Sequence, residues 1–431
     1  MADYLTWRGD IPFSVDPFNE VDNLVLCIIS YINFRRFPEL LTRNPREAVS
    51  LRDICQKLTQ EDEQLGLSQL SYIPVAQQAA QTERFAGTRM FAFEDRSDQE
   101  TQFAAVTFLL PDKSVFVAFR GTDTSLVGWK EDFNMSYLES VPAQVRAAEY
   151  TAEIMRLCRF HKVRIGGHSK GGNLAAWAGL HLPHKDYGRL LAVYNNDGPG
   201  FNRSMTERPE YVLLRDKMHT FIPESSIVGV LLEHCEDYTV IASTAKSIMQ
   251  HEALSWCTER NRFIHLEERS TRGRRSDDVL RDWIGSMTPQ ERKDFTDAFF
   301  EILSMGGKAR TLDDVQEMGL SGAVALVKEY AGADEKTRRI LVETFKRLAV
   351  DKLHIVGDLF DRGPHPEIIL DLLMRHHSVD IQWGNHDVVW MGAASGSPLC
   401  ICTVLKTTLA YHNHGMLEDC YGINLRHLQR M

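Results

Sequence analysis

The sequence predicts an α/β protein in which a parallel, helix-covered sheet presents a serine at a strand-to-helix turn, followed by a smaller α/β segment with a different set of motifs. Three observations carry this. Runs of β-branched and aromatic residues alternate with helical runs through the first four-fifths of the chain, the order expected of a sheet covered by its own crossover helices. Val163-Arg164-Ile165-Gly166 leads directly into Gly167-His168-Ser169-Lys170-Gly171-Gly172, a glycine-bracketed serine between a strand and a helix. From about Ala349 a new strand, loop and helix series begins.

The elements follow in order. Asp3 to Phe34 is rich in aromatic and acidic residues and leads into a helix around Glu20 to Ser30, expected to cap the domain. Polar, glutamine-rich helical sequence from Asp53 to about Glu83 reads as a lid or surface insertion. Phe103 to Leu110 and Ser114 to Phe119 are strands joined at Pro111-Asp112-Lys113, a turn of hairpin length. A helix from about Ala143 to Phe160 precedes the strand that ends at the serine, and Asn173 to Leu180 has the small and apolar residues of a helix packed beneath a sheet. Further strands are expected at Leu190 to Asn195, His219 to Pro223 and Tyr238 to Ile241. A basic loop at Arg269 to Arg275 follows. Thr288-Pro289-Gln290-Glu291 is a capping box with proline at the first helical position, opening a helix to about Met305 that Gly306-Gly307 ends. Two more helices are expected near Leu320 to Tyr330 and Glu335 to Leu348, then a strand at Asp351 to Val356, a helix at Glu367 to His376 and a strand at Val379 to Trp383.

Composition sets the class. With 431 residues, 43% hydrophobic and 25% charged, the chain can build one large domain and a second unit. A net charge of -10 argues against non-specific nucleic-acid binding, which needs a basic surface. The apolar stretch Leu24 to Ile32 is about half of a membrane span, and no basic segment with a cleavage site precedes it, so the chain reads as cytoplasmic with no transmembrane segment. The eight cysteines lack paired zinc spacing and read as buried reduced thiols.

A serine hydroxyl needs a turn that thrusts it from the sheet towards a base, an acid that orients the base, and donors for the oxyanion. Ser169 fits the first requirement as nucleophile. His251, in a loop after the last clear strand, is the candidate base. Asp197, in Asn195-Asn196-Asp197-Gly198-Pro199-Gly200 at the end of the next strand, is the candidate acid, with Glu224 and Asp237 as competitors. The backbone N–H of Lys170 follows from the turn itself, and Thr122, beyond Arg120-Gly121, is the second oxyanion candidate. No cofactor is called for by this chemistry. A non-catalytic binding module is the alternative if Ser169 lacks a base.

Phe119-Arg120-Gly121-Thr122, Gly128-Trp129 with Asp132, and Gly167 to Gly172 resemble the class 3 lipase group of α/β hydrolases. Trp7-Arg8-Gly9-Asp10, Asp16 to Glu20, Tyr194 to Phe201 and Ile222 to Gly229 resemble more closely a bacterial lipase-like family without an assigned function. The resemblance covers about residues 1–347 and implies an acyl ester substrate, Ser169 as nucleophile, His251 as base and Thr122 with Lys170 as oxyanion donors. Two departures stand out. Where class 3 lipases place their acid, after Pro223, the chain has Glu224-Ser225-Ser226-Ile227-Val228, with serine where aspartate is expected, and Lys170 replaces an apolar residue, which puts a cation near the mouth of the site and favours an anionic or polar acyl group.

Residues 348–431 resemble class 3 bacterial fructose-1,6-bisphosphatase, through Gly357-Asp358-Leu359-Phe360-Asp361-Arg362-Gly363 and Gly384-Asn385-His386-Asp387. In that dinuclear phosphoesterase family Asp358 would bridge two metals such as manganese, Asn385 would be a ligand, His386 the general acid and Arg362 a phosphate contact, with Asp361 in the same motif. An upstream Asp-x-His and later histidines are expected to be missing, which predicts an incomplete, inactive site. The join near Arg347-Leu348-Ala349-Val350 reads as a chimeric fusion of two enzyme pieces. The oligomeric state is not set by any of these features.

Overall fold

The computed structural model describes residues 2–63, 71–97, 101–123, 125–226, 228–270, 288–303, 353–363, 365–374, 376 and 379–425. The expected helices near 320–330 and 335–348, the Gly306-Gly307 stop, the join near 347 and most of the 269–275 loop lie outside them. The chain forms two compact units, Met1–Ala333 and Asp334–Met431.

In the first unit nine strands pair in strict chain order. β1 (Val49–Ser50), β2 (Arg89–Ser97), β3 (Gln102–Leu109) and β4 (Val115–Phe119) form an antiparallel meander. β5 (Val163–His168), β6 (Leu190–Asn196), β7 (Met218–Pro223) and β8 (Tyr238–Ile241) then run parallel to β4. β9 (Thr258–Glu259) and β10 (Arg262–Phe263) make a separate hairpin, and β11 (His265–Leu266) pairs antiparallel with β8. The change of sense follows from the connections. Pro111-Asp112-Lys113 is too short for anything but a hairpin, whereas the links from β4 to β5, from β5 to β6 and from β6 to β7 carry helices and cross back over the sheet.

The central strands are apolar on both faces because both faces are covered. Val115, Val117 and Phe119 of β4 enter one core, and Phe116 and Ala118 enter the other. The core that holds Phe116 and Ala118 is completed by α1 (Ala2–Arg8), α2 (Glu20–Ile29), α3 (Leu51–Cys55) and α4 (Ile73–Gln81). After α5 (Leu126–Asn134), the core that holds Val115, Val117 and Phe119 is built by α6 (Pro142–Leu157) and α7 (Lys170–Leu180).

The helix expected around Glu20 to Ser30 is built into the domain, with every residue from Val21 to Ile29 buried. One sequence expectation is corrected: the stretch containing α4 is not a lid or surface insertion. Ile73, Val75, Ala76, Ala79 and Ala80 are buried, and Gln77, Gln78 and Gln81 lie on the more exposed side of the same helix. Strand β2 escaped the sequence reading because its register shifts between Phe91 and Glu94, which breaks the two-residue alternation. The cysteines are also only partly as expected: Cys27, Cys55 and Cys158 are buried and free, while Cys235, Cys402 and Cys420 are exposed.

The start of α2 is fixed by reciprocal capping, with Asn19 Oδ1 accepting from the Val21 and Asp22 amides and Asp22 Oδ2 accepting from the Asn19 amide. Asp22 also faces Arg84, both side chains having no exposure, with Nε to Oδ1 at 2.7 Å and Nη2 to Oδ2 at 2.5 Å. Arg84 spends its remaining donors on the carbonyls of Ile11, Asp16 and Pro17, so one guanidinium fastens the whole opening loop to α2.

The second unit contains the parallel pair β12 (Leu353–Ile355) and β13 (Val379–Ile381), joined through the helix Pro366–Met374, and three further helices, Asn385–Ala394, Pro398–Ala410 and His414–Asp419. No helix among the described residues is long and apolar enough to cross a membrane.

Removing Arg84 leaves the Asp22 carboxylate buried without its counter-charge. Arg84→Met is expected to destabilise the first unit by about 3–5 kcal/mol, read from urea unfolding followed by tryptophan fluorescence.

Candidate active site

The serine turn is built by close backbone approach. Ser169 has φ 59° and ψ -135°, a strained conformation for a residue with a side chain. A Cβ on Gly167 would lie 2.1 Å from the Gly171 backbone, and one on Gly171 would lie 2.2 Å from the Phe119 carbonyl oxygen. Glycine at both places is therefore a steric requirement, and it lets α7 begin directly under the strand. The Ser169 amide is held by the Asn196 carbonyl at 2.9 Å.

Asp197 follows β6 in the left-handed region, φ 55°, with its amide on the Phe221 carbonyl. Its Oδ2 lies 2.7 Å from His251 Nδ1 and accepts from the Ser226 hydroxyl at 2.6 Å. Asp197 has no exposure, and Ser169 and His251 are 8% and 7% exposed. The turn that carries the aspartate is itself tied down: Asn195 Oδ1 accepts from the Gly198 amide, and Asn173 of α7 donates to the Pro199 and Gly200 carbonyls. Of the three acids weighed from the sequence, Asp197 is the one bonded to His251. Ser226, one of the two serines in the stretch where an aspartate was expected, donates to that carboxylate.

The Arg120-Gly121-Thr122 loop passes directly over the serine turn, since a Cβ on Gly121 would meet Tyr31 Oη at 2.1 Å and the His168 carbonyl at 2.6 Å. Arg120 is buried and donates to Asp95 at 3.1 and 3.3 Å, which anchors the loop to β2. Thr122 Oγ1 donates to Asp132 Oδ2 at 2.6 Å. The loop's backbone is thus fixed from both sides of Gly121.

Lys170 overturns the expectation of a cation at the mouth of the site. It is 1% exposed, its ammonium pairs with Glu131 of α5, and it donates to the Gln102 carbonyl at 3.1 Å. Glu131 further accepts from the Gln102 and Ala143 amides. The charge is spent inside the protein, joining α7, α5, β3 and α6, and the side chain does not reach the substrate side. Glu131 was not singled out from the sequence, where it looks like any solvent-facing helical acid.

Asp132 stands beside this ion pair. Burial pushes it up to about 6, against the pull of the Lys170 ammonium 3.9 Å away and the Thr122 hydroxyl.

In the second unit the motifs gather at the carboxyl ends of β12 and β13. Asp358 (φ 55°) accepts from the His386 amide at 3.1 Å, and His386 Nε2 lies 3.1 Å from Asp361 Oδ1, which also accepts from Arg362 Nε at 2.9 Å. Asn385 opens the helix that follows Gly384. Asp387, not a candidate from the sequence, accepts from the amides of Asp358, Phe360 and Gly384 and so fastens the two loops together. Among the described residues no group of three or more His, Cys, Asp or Glu is arranged to hold a metal ion. Asp358 and Asn385, the two ligands the motifs supply, are joined by no further described ligand group, so these residues alone do not fit a two-metal centre.

The Mbeg1-like family profile matches residues 79–301, more than half of the chain. The chain belongs to the Mbeg1-like family. Behind the Mbeg1-like region, the profile described as Firmicute fructose-1,6-bisphosphatase matches residues 324–431. The class 3 fructose-1,6-bisphosphatase of Clostridium novyi (strain NT) is 63% identical over 83 residues, 19% of this chain and 12% of that protein. That of Ligilactobacillus salivarius (strain UCC118) is 49% identical over 107 residues, 24% of this chain and 17% of that protein. The chain therefore spans less than a fifth of the length of these two curated relatives. Solved structures similar to it include the mono- and diacylglycerol lipase from Aspergillus oryzae, at 16% identity and TM-score 0.35 over 59% of this chain and 88% of that one. The Rhizomucor miehei lipase propeptide complex is similar at 13% identity and TM-score 0.33 over 47% and 75%. An Mbeg1-like unit is thus joined to a stretch of the class 3 fructose-1,6-bisphosphatase family, as the two sets of motifs led one to expect.

Because burial raises the Asp132 carboxyl from an ordinary 3.8 to about 6, its ionised form costs stability. The favourable neutral state is fully present below the unfolded value and is lost as pH rises through about 6. Asp132→Asn is therefore expected to gain on wild type by about 2–3 kcal/mol between pH 4 and 7 and by nothing further above, measured by urea midpoints across that range.

Proposed function

We propose that the Mbeg1-like unit is a serine hydrolase that cleaves an acyl ester. The observation that carries this reading is the 2.7 Å bond between His251 Nδ1 and the buried Asp197 carboxylate, beside a serine held in the strained turn between β5 and α7. With Nδ1–H donated to Asp197, the Nε2 lone pair of His251 is the free basic site. Ser169 Oγ attacks the ester carbonyl carbon and passes its proton to Nε2. The resulting oxyanion is held by the Thr122 and Lys170 amides, and His251 returns the proton to the departing alcohol as the C–O bond breaks. Water then adds to the acyl-serine by the same route, releasing the acid. Asp197, bonded also by Ser226, keeps the imidazole in the productive tautomer and balances the transient imidazolium.

A fluorophosphonate probe reports directly on an activated serine. Wild type is expected to label and Ser169→Ala to remain unlabelled; equal labelling of the two would sink the hydrolase reading. Asp197→Asn is expected to lower kcat on p-nitrophenyl butyrate by about 10³–10⁴-fold while leaving the fold intact by circular dichroism.

For the second unit, the arrangement of Asp358, Asp361, Asn385 and His386 supports a remnant that does not turn over sugar bisphosphates. The full chain with manganese is expected to release no phosphate from fructose 1,6-bisphosphate above a metal-only blank. Release that Asp358→Asn abolishes would reverse this view.

A further inference from the structure

Behind the proposed base stands a second histidine that none of the proton transfers uses. His168, the residue before Ser169, is 3% exposed. Its Nε2 lies 2.8 Å from the backbone carbonyl oxygen of His251, and its Nδ1 lies 3.0 Å from the Tyr31 hydroxyl. The rings of His168 and His251 face each other at 4.7 Å between centroids and 30° between planes, with Trp256 edge-on to His168 at 5.9 Å.

A carbonyl only accepts, so Nε2 carries the proton; a neutral ring then has its lone pair on Nδ1, and the Tyr31 hydroxyl, 3.0 Å from that nitrogen and 3.4 Å from the His168 carbonyl oxygen, donates to the nearer acceptor. Burial first, and the neighbouring His251 second, push His168 well below the usual imidazole range, and burial keeps Tyr31 a phenol. The result is one directed chain of donors running from Tyr31, just past the end of α2, through His168 to the backbone of His251.

The residues on either side of His251 are also held from the core. Trp256 Nε1 donates to the Gln250 carbonyl at 3.0 Å, and Tyr72 donates to the Glu252 carboxylate at 2.9 Å. The bond from His168 reaches the backbone carbonyl of the proposed base itself.

We infer that Tyr31 and His168 are positioning residues for the hydrolase reaction: the Tyr31 hydroxyl locks the orientation and tautomer of His168, which in turn fixes the backbone of His251 and the approach of its ring to Asp197. This rests on the reading of His251 as the base. The physical cost of breaking it is specific. Tyr31→Phe leaves His168 Nδ1 a buried acceptor without a donor, which favours rotation of the imidazole and loss of its bond to the His251 carbonyl. The substitution keeps the ring that packs on Tyr72 at 5.3 Å.

The test pairs steady-state kinetics on p-nitrophenyl butyrate with ¹⁵N spectra of histidine-labelled full-length protein. In wild type, His168 is expected to remain a neutral Nε2–H imidazole from pH 5.5 to 9. Tyr31→Phe should lower kcat by about ten-fold and His168→Leu by about a hundred-fold, with KM unchanged. His168→Gln, whose amide can donate to the same carbonyl, should recover most of that loss. Wild-type kcat in Tyr31→Phe, or a His168 proton on Nδ1, would overturn the proposal. If His168→Leu does not fold, Tyr31→Phe and the spectra decide alone. The reading beneath it fails separately: Ser169→Ala would then hydrolyse the ester as fast as wild type, with the His168 spectrum unchanged.

Discussion

The serine site depends on backbone passing backbone at a distance no side chain permits. Gly167 meets Gly171, and Gly171 meets the end of β4, with just over 2 Å available for any Cβ. That contact draws the first turn of α7 against the ends of β4 and β5 at once. It forces Ser169 into its strained conformation, and it brings the Arg120-Gly121-Thr122 loop down onto the turn, where Gly121 has no room either. The strain at Ser169 survives because its surroundings over-determine it: the amide is on Asn196, α7 is anchored through Asn173 to the Pro199-Gly200 turn, and Lys170 is locked to Glu131.

The position of the acid follows from the same sheet. β6 and β7 are parallel neighbours, with Asn196 opposite Phe221, so their carboxyl ends open side by side. A carboxylate can reach a histidine in the β8 to β9 connection from the end of either strand. Here it comes from β6, and the β7 end contributes Ser226, whose hydroxyl donates to the same oxygen that faces His251. One carboxylate oxygen of Asp197 is thus shared between a histidine and a hydroxyl that come from two different stretches of chain.

How far the chain could be read before its structure was known follows from what each signal encodes. The turn at Ser169, the parallel strands around it and the Thr288 capping box are local patterns, and local patterns survive in a sequence. His251 and Asp197 were legible because strand ends mark where such groups must stand. What escaped was decided by partners distant in sequence. The α4 glutamines look like surface, and only the packing of Val75, Ala76, Ala79 and Ala80 against α2 shows otherwise. Lys170 looks like a free cation until Glu131, 39 residues earlier, is placed beside it. Tyr31 and His168 meet across 137 residues, and nothing local to either announces the other.

The pairing of Lys170 with Glu131 also changes what the site can select. A lysine at the mouth would have favoured an anionic or polar acyl group by direct attraction. A buried ion pair whose carboxylate accepts two backbone amides presents little net field to a substrate, because the opposite charges lie in contact. What remains around Ser169 is an uncharged constellation: a neutral His168, the Tyr31 phenol and the amides of Thr122 and Lys170. The negative charge of Asp197 is bonded to His251 and Ser226, and that of Asp132 to Thr122 with Lys170 close by. An oxyanion forming there would meet dipoles already oriented rather than a mobile cation. For the proposed reaction, charge would be stabilised by preorganised amides, and preference among acyl groups would be left to their shape.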